Sequence, residues 1–272
     1  APLLIEGLER LEYRGYDSAG IALISEGRLL VEKTAGKIAQ LEAQLGSDVP
    51  PSVTGIAHTR WATHGAPNTR NAHPHADCTG SLAVVHNGII ENAGILRAKL
   101  EEQGHKFSSD TDTEVLAHLI EEFYDGSLAD SVGAALREVE GTYGIAVVST
   151  REPDTIVAAR LGSPLLVGVG DGENYIASDP SAVLQHTRSV VYLDEGEMAV
   201  VTPAGYRLMD RQSTPLTKAV SRIDWDLATV ERGGYTHFML KEICEQPESI
   251  RNVLRGHLLE EEGAARLGGL NL

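Results

Sequence analysis

The chain has 272 residues, enough for one large domain or two modest ones built around sheets and helices. Its 23 basic residues stand against 39 acidic ones, a formal charge of −16 that argues against nucleic acid or an anionic membrane as a main partner. Two cysteines, Cys78 and Cys244, are too few for a disulfide framework and fit a reduced cytoplasmic setting; no apolar run approaches the ~20 residues of a membrane span, and Ala1–Glu6 lacks the look of a secretory leader.

Leu4, Leu8 and Leu11 recur at helical spacing after Pro2 and predict a helix over 2–11. Ala19–Ile24 and Leu29–Lys33 flank Ser25-Glu26-Gly27-Arg28 and predict a hairpin. Ile38, Leu41 and Leu45 imply a short helix, and Val53–His58 and Leu82–His86 read as two central strands. Ile89–Gln103 reads as a helix stopped by Gly104. Thr111 with Glu114 reads as a capping box opening a helix from about Asp112 to Phe123, and Leu128, Val132, Leu136 and Val139 mark another. After Gly141 seven short strands follow, at 143–149, 155–160, 165–169, 175–178, 190–193, 198–201 and 206–209, joined too closely to be parallel. Gly168-x-Gly170-x-Gly172 is followed by no Gly-Lys-Ser/Thr and opens no helix, so Asp171-Gly172 is a turn and not a phosphate loop. From His237 an amphipathic helical run begins, with an interruption expected near Pro247. The whole pattern is that of an α+β chain with antiparallel sheets and helices outside them.

The densest polar stretch is His58–His75, HTRWATHGAPNTRNAHPH, on the loop that leaves a strand, where binding groups commonly sit. With LEYRGYDSAG (11–20), VVHNGIIEN (84–92), SDTDTE (109–114) and YTHFMLKEICEQP (235–247), it resembles the glutaminase domain of the glucosamine-6-phosphate synthase family, among the class II glutamine amidotransferases. The resemblance implies a four-layer αββα sandwich of two antiparallel sheets, the N-terminal-nucleophile hydrolase architecture. It implies a glutamine amidotransferase domain over 1–236 that lacks its first strand and N-terminal cysteine, and over 237–272 a linker towards a sugar isomerase domain. It further implies L-glutamine and L-glutamate as ligands, fructose 6-phosphate as acceptor through the isomerase domain, and a homodimeric full-length enzyme.

A free amino acid with a side-chain amide needs a cation for its α-carboxylate, an anion for its α-ammonium and donors for the oxyanion formed on attack. Arg60 offers a fork suited to a carboxylate, although read alone it could be a surface arginine. Asp112 offers the anion, or simply a first-turn acid favoured by the helix dipole. Asn87-Gly88 can bring a side-chain N–H and a backbone N–H to one oxygen, or be a β-turn. The resemblance assigns Asn87 and Gly88 to the oxyanion hole, puts Arg14 beside the nucleophile, lines the glutamine pocket with Thr63 and His64, and makes Trp61 a gate. The nucleophile it implies is the thiol of an N-terminal cysteine, which this sequence, starting Ala1-Pro2, lacks; the chain by itself is expected to be inactive. Cys78, near His73, His75 and Asp77, lies in a loop with no family role, and Cys244 reads as a packing residue on a helix.

No cofactor or metal is expected. Asp110, Asp112, Glu114 and Glu121 match calcium-loop spacing, but Val115 stands where glycine is required. A metal-dependent hydrolase using His58, His64, His73 and His75 is a competing reading, with a spacing that fits no zinc motif. Two further alternatives are the glutaminase domain of another class II enzyme such as amidophosphoribosyltransferase, and a non-catalytic glutamine-binding module.

Overall fold

Strands buried on both faces need cover on both sides, and that requirement organises this chain. The computed structural model describes residues 1–46, 49–62, 65–224, 235–254, 258–259 and 264–265. Ala1–Asp224 forms one compact unit and Trp225–Leu272 a second.

In the first unit β1 (Ser18–Ser25) is buried along nearly its whole length. It turns at Glu26 and Gly27, both with positive φ (49° and 72°), into β2 (Arg28–Ala35), with Ser25 opposite Arg28. Positive φ at both central residues is the twist a two-residue hairpin needs. β3 (Thr54–Arg60) pairs on the other side of β1, Ser18 opposite Arg60, giving the order β2-β1-β3. β3 is thus an edge strand and not a central one. Its alternating burial, against the continuous burial of β1, is the physical mark of that difference. Helices α1 (Pro2–Leu11) and α2 (Ile38–Leu45) lay Ile5, Leu8, Ile38 and Leu41 on Ala19, Ile21 and Leu23.

The larger sheet is built on β4 (His75–Ala76), β5 (Leu82–Ile90), β6 (Gly141–Ser149) and β7 (Glu152–Leu161). A smaller one follows with β8 (Leu166–Val169), β9 (Asn174–Ala177) and β10 (Ser189–Tyr192). The chain then returns to the large sheet with β11 (Met198–Thr202), β12 (Gly205–Met209) and β13 (Pro215–Leu216), and ends the small one with β14 (Ser221–Arg222). The orders are β13-β12-β11-β7-β6-β5-β4 and β14-β10-β8-β9, and the neighbouring strands run antiparallel.

Alternation along the large sheet sorts its two faces. Leu82, Val84, Ile145, Val147, Met198 and Val200 meet α3 (Ala93–Glu102), α4 (Thr113–Glu122) and α5 (Leu128–Glu138). The residues between them, Ala83, Val85, Ala146 and Val148, meet Ala22, Ile24 and Ile56 of the three-stranded sheet. Ala158, Ala199 and Val201 meet Val167 and Val191 of the four-stranded sheet. The layers therefore run helix, sheet, sheet, helix. A one-residue slip of β5 would turn Ala83 and Val85 to the helices and Leu82 and Val84 into the inter-sheet gap.

Three local expectations change. Ile89 and Ile90 continue β5, opposite Thr142 and Gly141, and α3 starts only at Ala93. The Thr111–Glu114 pair is not a reciprocal capping box. Glu114 reaches past Thr111, and its carboxylate accepts from the backbone N–H of Ser108 and Ser109 at 2.7 and 2.6 Å. In the second unit α6 (Phe238–Leu254) runs through Pro247 without interruption. The hairpin at Asp171-Gly172 is present, with Val169 opposite Asn174 and Gly172 at φ 73°. Among the described residues no helix is long and apolar enough to cross a membrane.

Candidate active site

β3 and β9 are edge strands, and neither has a second strand partner among the described residues. A cavity of about 920 Å³ runs along both, lined by residues 52–61 and 172–178 and floored by parts of β5 and β6. Arg14, Arg60, Trp61, Asn87, Gly88 and Asp112 all line it. Thr63 and His64 lie outside the described residues.

Arg60 ends β3 and is 4% exposed. The segment 11–20 holds this strand end in place. The Asp17 N–H donates to the Arg60 carbonyl at 3.0 Å, the Thr59 hydroxyl donates to the Gly15 carbonyl, and Asp17 Oδ2 accepts from the Ala62 N–H at 2.8 Å. Gly15 is required there, because a Cβ would stand 2.9 Å from the Arg60 carbonyl carbon. Burial lowers the Arg60 pKa, while Asp112 and Asp17 oppose the shift. A guanidinium stays protonated at neutral pH, so Arg60 is a buried cation between two carboxylates. Asp17 was not singled out by sequence reasoning; its only signal was its place within LEYRGYDSAG.

Asn87 and Gly88 are strand residues of β5, opposite Gly144 and Tyr143, and not a turn beyond it. Gly88 has φ 136°, and a Cβ there would lie 2.1 Å from the Thr142 carbonyl oxygen, so no other residue fits. Asn87 Oδ1 lies 3.0 Å from His58 Nε2. Burial pushes the His58 pKa down to about 4, so its ring is neutral at pH 7. Facing the amide oxygen, Nε2 carries the ring's proton and donates it. That bond occupies the oxygen of the Asn87 amide and leaves the N–H₂ end for the cavity.

Asp112 Oδ2 accepts from the Ile90 N–H at 2.9 Å, which ties the start of α4 to the end of β5. The threonines beside it are held from below. Thr111 Oγ1 is 3.0 Å from His75 Nε2, and Thr113 Oγ1 is 3.0 Å from His86 Nδ1. His86 Nε2 faces the Thr142 carbonyl at 3.2 Å and so donates to it. His73 stacks on His58 with centroids 4.4 Å apart and meets His75 edge-on at 5.0 Å. Burial is the main cause that pushes the pKa of His73 and His75 down; neighbouring histidines add to it at His73, and Lys33 at His75. These rings are neutral and serve as supports for the cavity.

At the rim, Trp61 is 58% exposed and packs edge-to-face on Tyr16 at 5.6 Å. Arg14 pairs with Asp179 at 2.6 Å and donates to the Tyr13 hydroxyl at 2.9 Å. No cysteine lines the cavity among the described residues. The arrangement as a whole offers a buried cation, a carboxylate and an oriented amide donor inside a partly apolar cleft. That set can bind a zwitterionic α-amino acid at one end and stabilise negative charge on a carbonyl oxygen at the other.

Residues 46–252 match the glutamine amidotransferase domain family. Glutamine–fructose-6-phosphate aminotransferase (isomerizing) of Chlorobaculum tepidum is 51% identical over 278 residues, covering all of this chain and 45% of that protein. The enzyme of the same name from Symbiobacterium thermophilum is 52% identical over 271 residues, covering all of this chain and 44% of that protein. The chain thus spans less than half the length of these curated relatives. Among solved structures, glutamine phosphoribosylpyrophosphate amidotransferase from B. subtilis superposes with a TM-score of 0.66 at 28% identity, over 79% of this chain and 47% of that one. On sequence and fold together, the chain belongs to the glutamine amidotransferase domain family.

Proposed function

We propose that this chain is the glutamine-hydrolysing domain of a glutamine–fructose-6-phosphate aminotransferase (glucosamine-6-phosphate synthase). It releases ammonia from L-glutamine, leaving L-glutamate, and the ammonia aminates fructose 6-phosphate in a sugar isomerase domain to give glucosamine 6-phosphate. The observation that carries the reading is the meeting of Arg60, Asp112 and Asn87 in one cavity, in a chain half identical along its whole length to enzymes of that name. Arg60 takes the α-carboxylate and Asp112 the α-ammonium. The Asn87 N–H₂ and Gly88 N–H receive the oxyanion as the γ-amide carbon is attacked. By family resemblance Trp61 gates the site, Thr63 and His64 line the glutamine pocket, and Arg14 lies near the attacking group. Family resemblance makes that group the thiol of an N-terminal cysteine. Its sulfur adds to the amide carbon, the C–N bond breaks with a proton delivered to the leaving ammonia, and water then cleaves the γ-glutamyl thioester to glutamate and thiol.

Hexosamine synthesis in the cytoplasm, by a homodimeric full-length enzyme, is the setting that goes with this proposal. The fold likeness to a phosphoribosylpyrophosphate enzyme concerns the same glutaminase step with another acceptor. The natural full-length gene product tests both. Glutamate release from glutamine, with glucosamine 6-phosphate formed only when fructose 6-phosphate is supplied, is the expected result. Arg60→Ala should raise KM for glutamine ~100-fold or more, the loss of a charge-assisted bidentate contact. Absence of glutamate release by a natural product of verified N-terminal mass would overturn the reading.

A further inference from the structure

At the half of α4 remote from Asp112, four side chains from three separate segments converge. Cys78 comes from the turn between β4 and β5, His105 from the loop after α3, and His118 and Glu121 from adjacent turns of α4. One donor atom of each lies within 4.8 Å of every other. Cys78 Sγ is 3.6 Å from His105 Nδ1 and 3.4 Å from His118 Nδ1. Glu121 Oε2 is 3.2 Å from His105 Nδ1 and 3.4 Å from His118 Nδ1. A tetrahedral Zn²⁺, with bonds of about 2.3 Å to sulfur and about 2.0–2.1 Å to nitrogen and oxygen, separates sulfur from nitrogen by about 3.6 Å and nitrogen from oxygen by about 3.3 Å. Four of the six edges of that tetrahedron are matched by these separations, and the other two lie within 4.8 Å.

The outward faces of the two rings strengthen the case. His105 Nε2 lies 3.2 Å from Glu122 Oε2, and His118 Nε2, buried without a hydrogen-bond partner, faces Glu114 Oε1 at 3.7 Å. Glu122, accepting from His105 Nε2, turns the Nδ1 lone pair of that ring inward, and Glu114 lies on the outer side of the His118 ring, an arrangement usual behind metal-bound histidines. Two nitrogen lone pairs, a carboxylate oxygen and a sulfur then point at one another, and the Lys106 N–H donates to the same sulfur at 3.4 Å.

We propose that Cys78, His105, His118 and Glu121 hold a structural zinc ion. One thiolate, two imidazoles and one carboxylate are a borderline-soft, tetrahedral set that suits zinc over calcium or magnesium. Four protein ligands close the coordination, so the ion staples the β4–β5 turn and the 103–112 loop to α4 and takes no part in turnover. The inference rests on these distances alone and is independent of the proposed substrate.

The test is metal analysis of the full-length protein purified without chelator, followed by stripping and reloading with cobalt(II). One zinc per chain is expected. The cobalt form should show tetrahedral visible bands and a near-ultraviolet thiolate charge-transfer band, and Cys78→Ser should abolish the latter. Chelation should lower the melting temperature, and added zinc should restore it. Glu122→Gln, which leaves all four ligands in place, should weaken zinc binding about tenfold. Wild-type protein that holds no zinc and gives no tetrahedral cobalt spectrum on reloading overturns the proposal, as does a cobalt spectrum unchanged in Cys78→Ser.

Discussion

The molecule has two histidine-rich regions, and they differ in what surrounds the rings. Beneath the cavity, His58, His73, His75 and His86 meet an amide, threonine hydroxyls, a carbonyl and one another, and the charges near them include the cations Arg60 and Lys33. At His58, His73 and His75 burial is the main cause that disfavours protonation, and cations add to it against Glu114 at His75, so these rings work as hydrogen-bonding struts. Beside the far half of α4, His105 and His118 meet Glu114, Glu121, Glu122 and a thiol. There the carboxylates lie against the rings, and in the proposed zinc site each ring gives its Nδ1 lone pair to the ion. The charge of the neighbours, and not the number of histidines, separates a strut from a ligand. In the sequence three of the four struts draw attention because they crowd into HTRWATHGAPNTRNAHPH, whereas the α4 group is dispersed from Cys78 to Glu121.

The largest effect expected on this comparison comes from the amide that the strut His58 holds. If Asn87 serves the proposed oxyanion site, Asn87→Ala removes its side-chain donor and should reduce kcat for glutamate release by ~10²–10³, with little change in KM. His58→Phe keeps a stacked ring but deletes the Nε2–H that holds the amide oxygen, and should cost about tenfold, the worth of one hydrogen bond. Steady-state kinetics on the full-length enzyme separate the two. If His58→Phe leaves kcat unchanged, the ring packs beneath Asn87 without orienting it.

Why the struts were not legible as such follows from how they act. His58 matters through Asn87, which sits on a different sheet, and Asp17 matters through the end of β3, forty-odd residues away in the chain. Both roles depend on tertiary pairings that periodicity does not report. Arg60, Asn87, Gly88 and Asp112, which line one cavity, drew attention in the sequence because they stand inside long motifs whose residue types match the needs of an amino-acid site. For the fold, the β1–β2 hairpin, α1, α2, α5 and the strands after Gly141 follow directly from apolar spacing and turn residues. The position of β3 at a sheet edge does not, since alternation fixes faces but not strand order. β4, β13 and β14, at two residues each, are too short to carry a period. Ile89 and Ile90 adjoin a helical pattern, and a short apolar run cannot by itself be assigned to strand or helix.

A smaller effect follows from keeping the struts neutral. His58 titrates near pH 4 in the fold and near 6.5 when unfolded. Between those values the unfolded chain binds the extra proton, so stability is complete above pH 6.5 and falls as the pH drops towards 4. Each such histidine contributes up to about 1.4 kcal/mol per pH unit in that window. His73 and His75 shift in the same direction and add to it. Denaturant midpoints at pH 7 and pH 5 should therefore differ, and His58→Phe should shrink the difference. An acid limb of equal steepness in that variant would mean that His58 is already charged in the fold.

The smallest effect lies on the alkaline side and concerns the cation that helps to keep His75 neutral. Lys33, on β2, is pushed down to about 8, first by burial and then by Arg60, with Glu114 opposing. Its Nζ donates to the Arg70 carbonyl at 3.2 Å, which ties β2 to the loop that carries the histidines. A lysine whose folded pKa lies below its unfolded value makes the fold less stable while both states hold the proton. That cost is relieved as the pH rises from about 8 towards the unfolded value of about 10.4, so stability should climb across that window instead of falling. Because part of the side chain meets water, the gain is about 1–2 kcal/mol, less than the full shift would give. Lys33→Met removes the buried charge and keeps the aliphatic stem. Its denaturant midpoint should exceed that of the wild type at pH 7, and the gap should close by pH 10. A gap that stays constant from pH 7 to pH 10 would assign the gain to packing alone and leave the charge of Lys33 without a share in the histidine network.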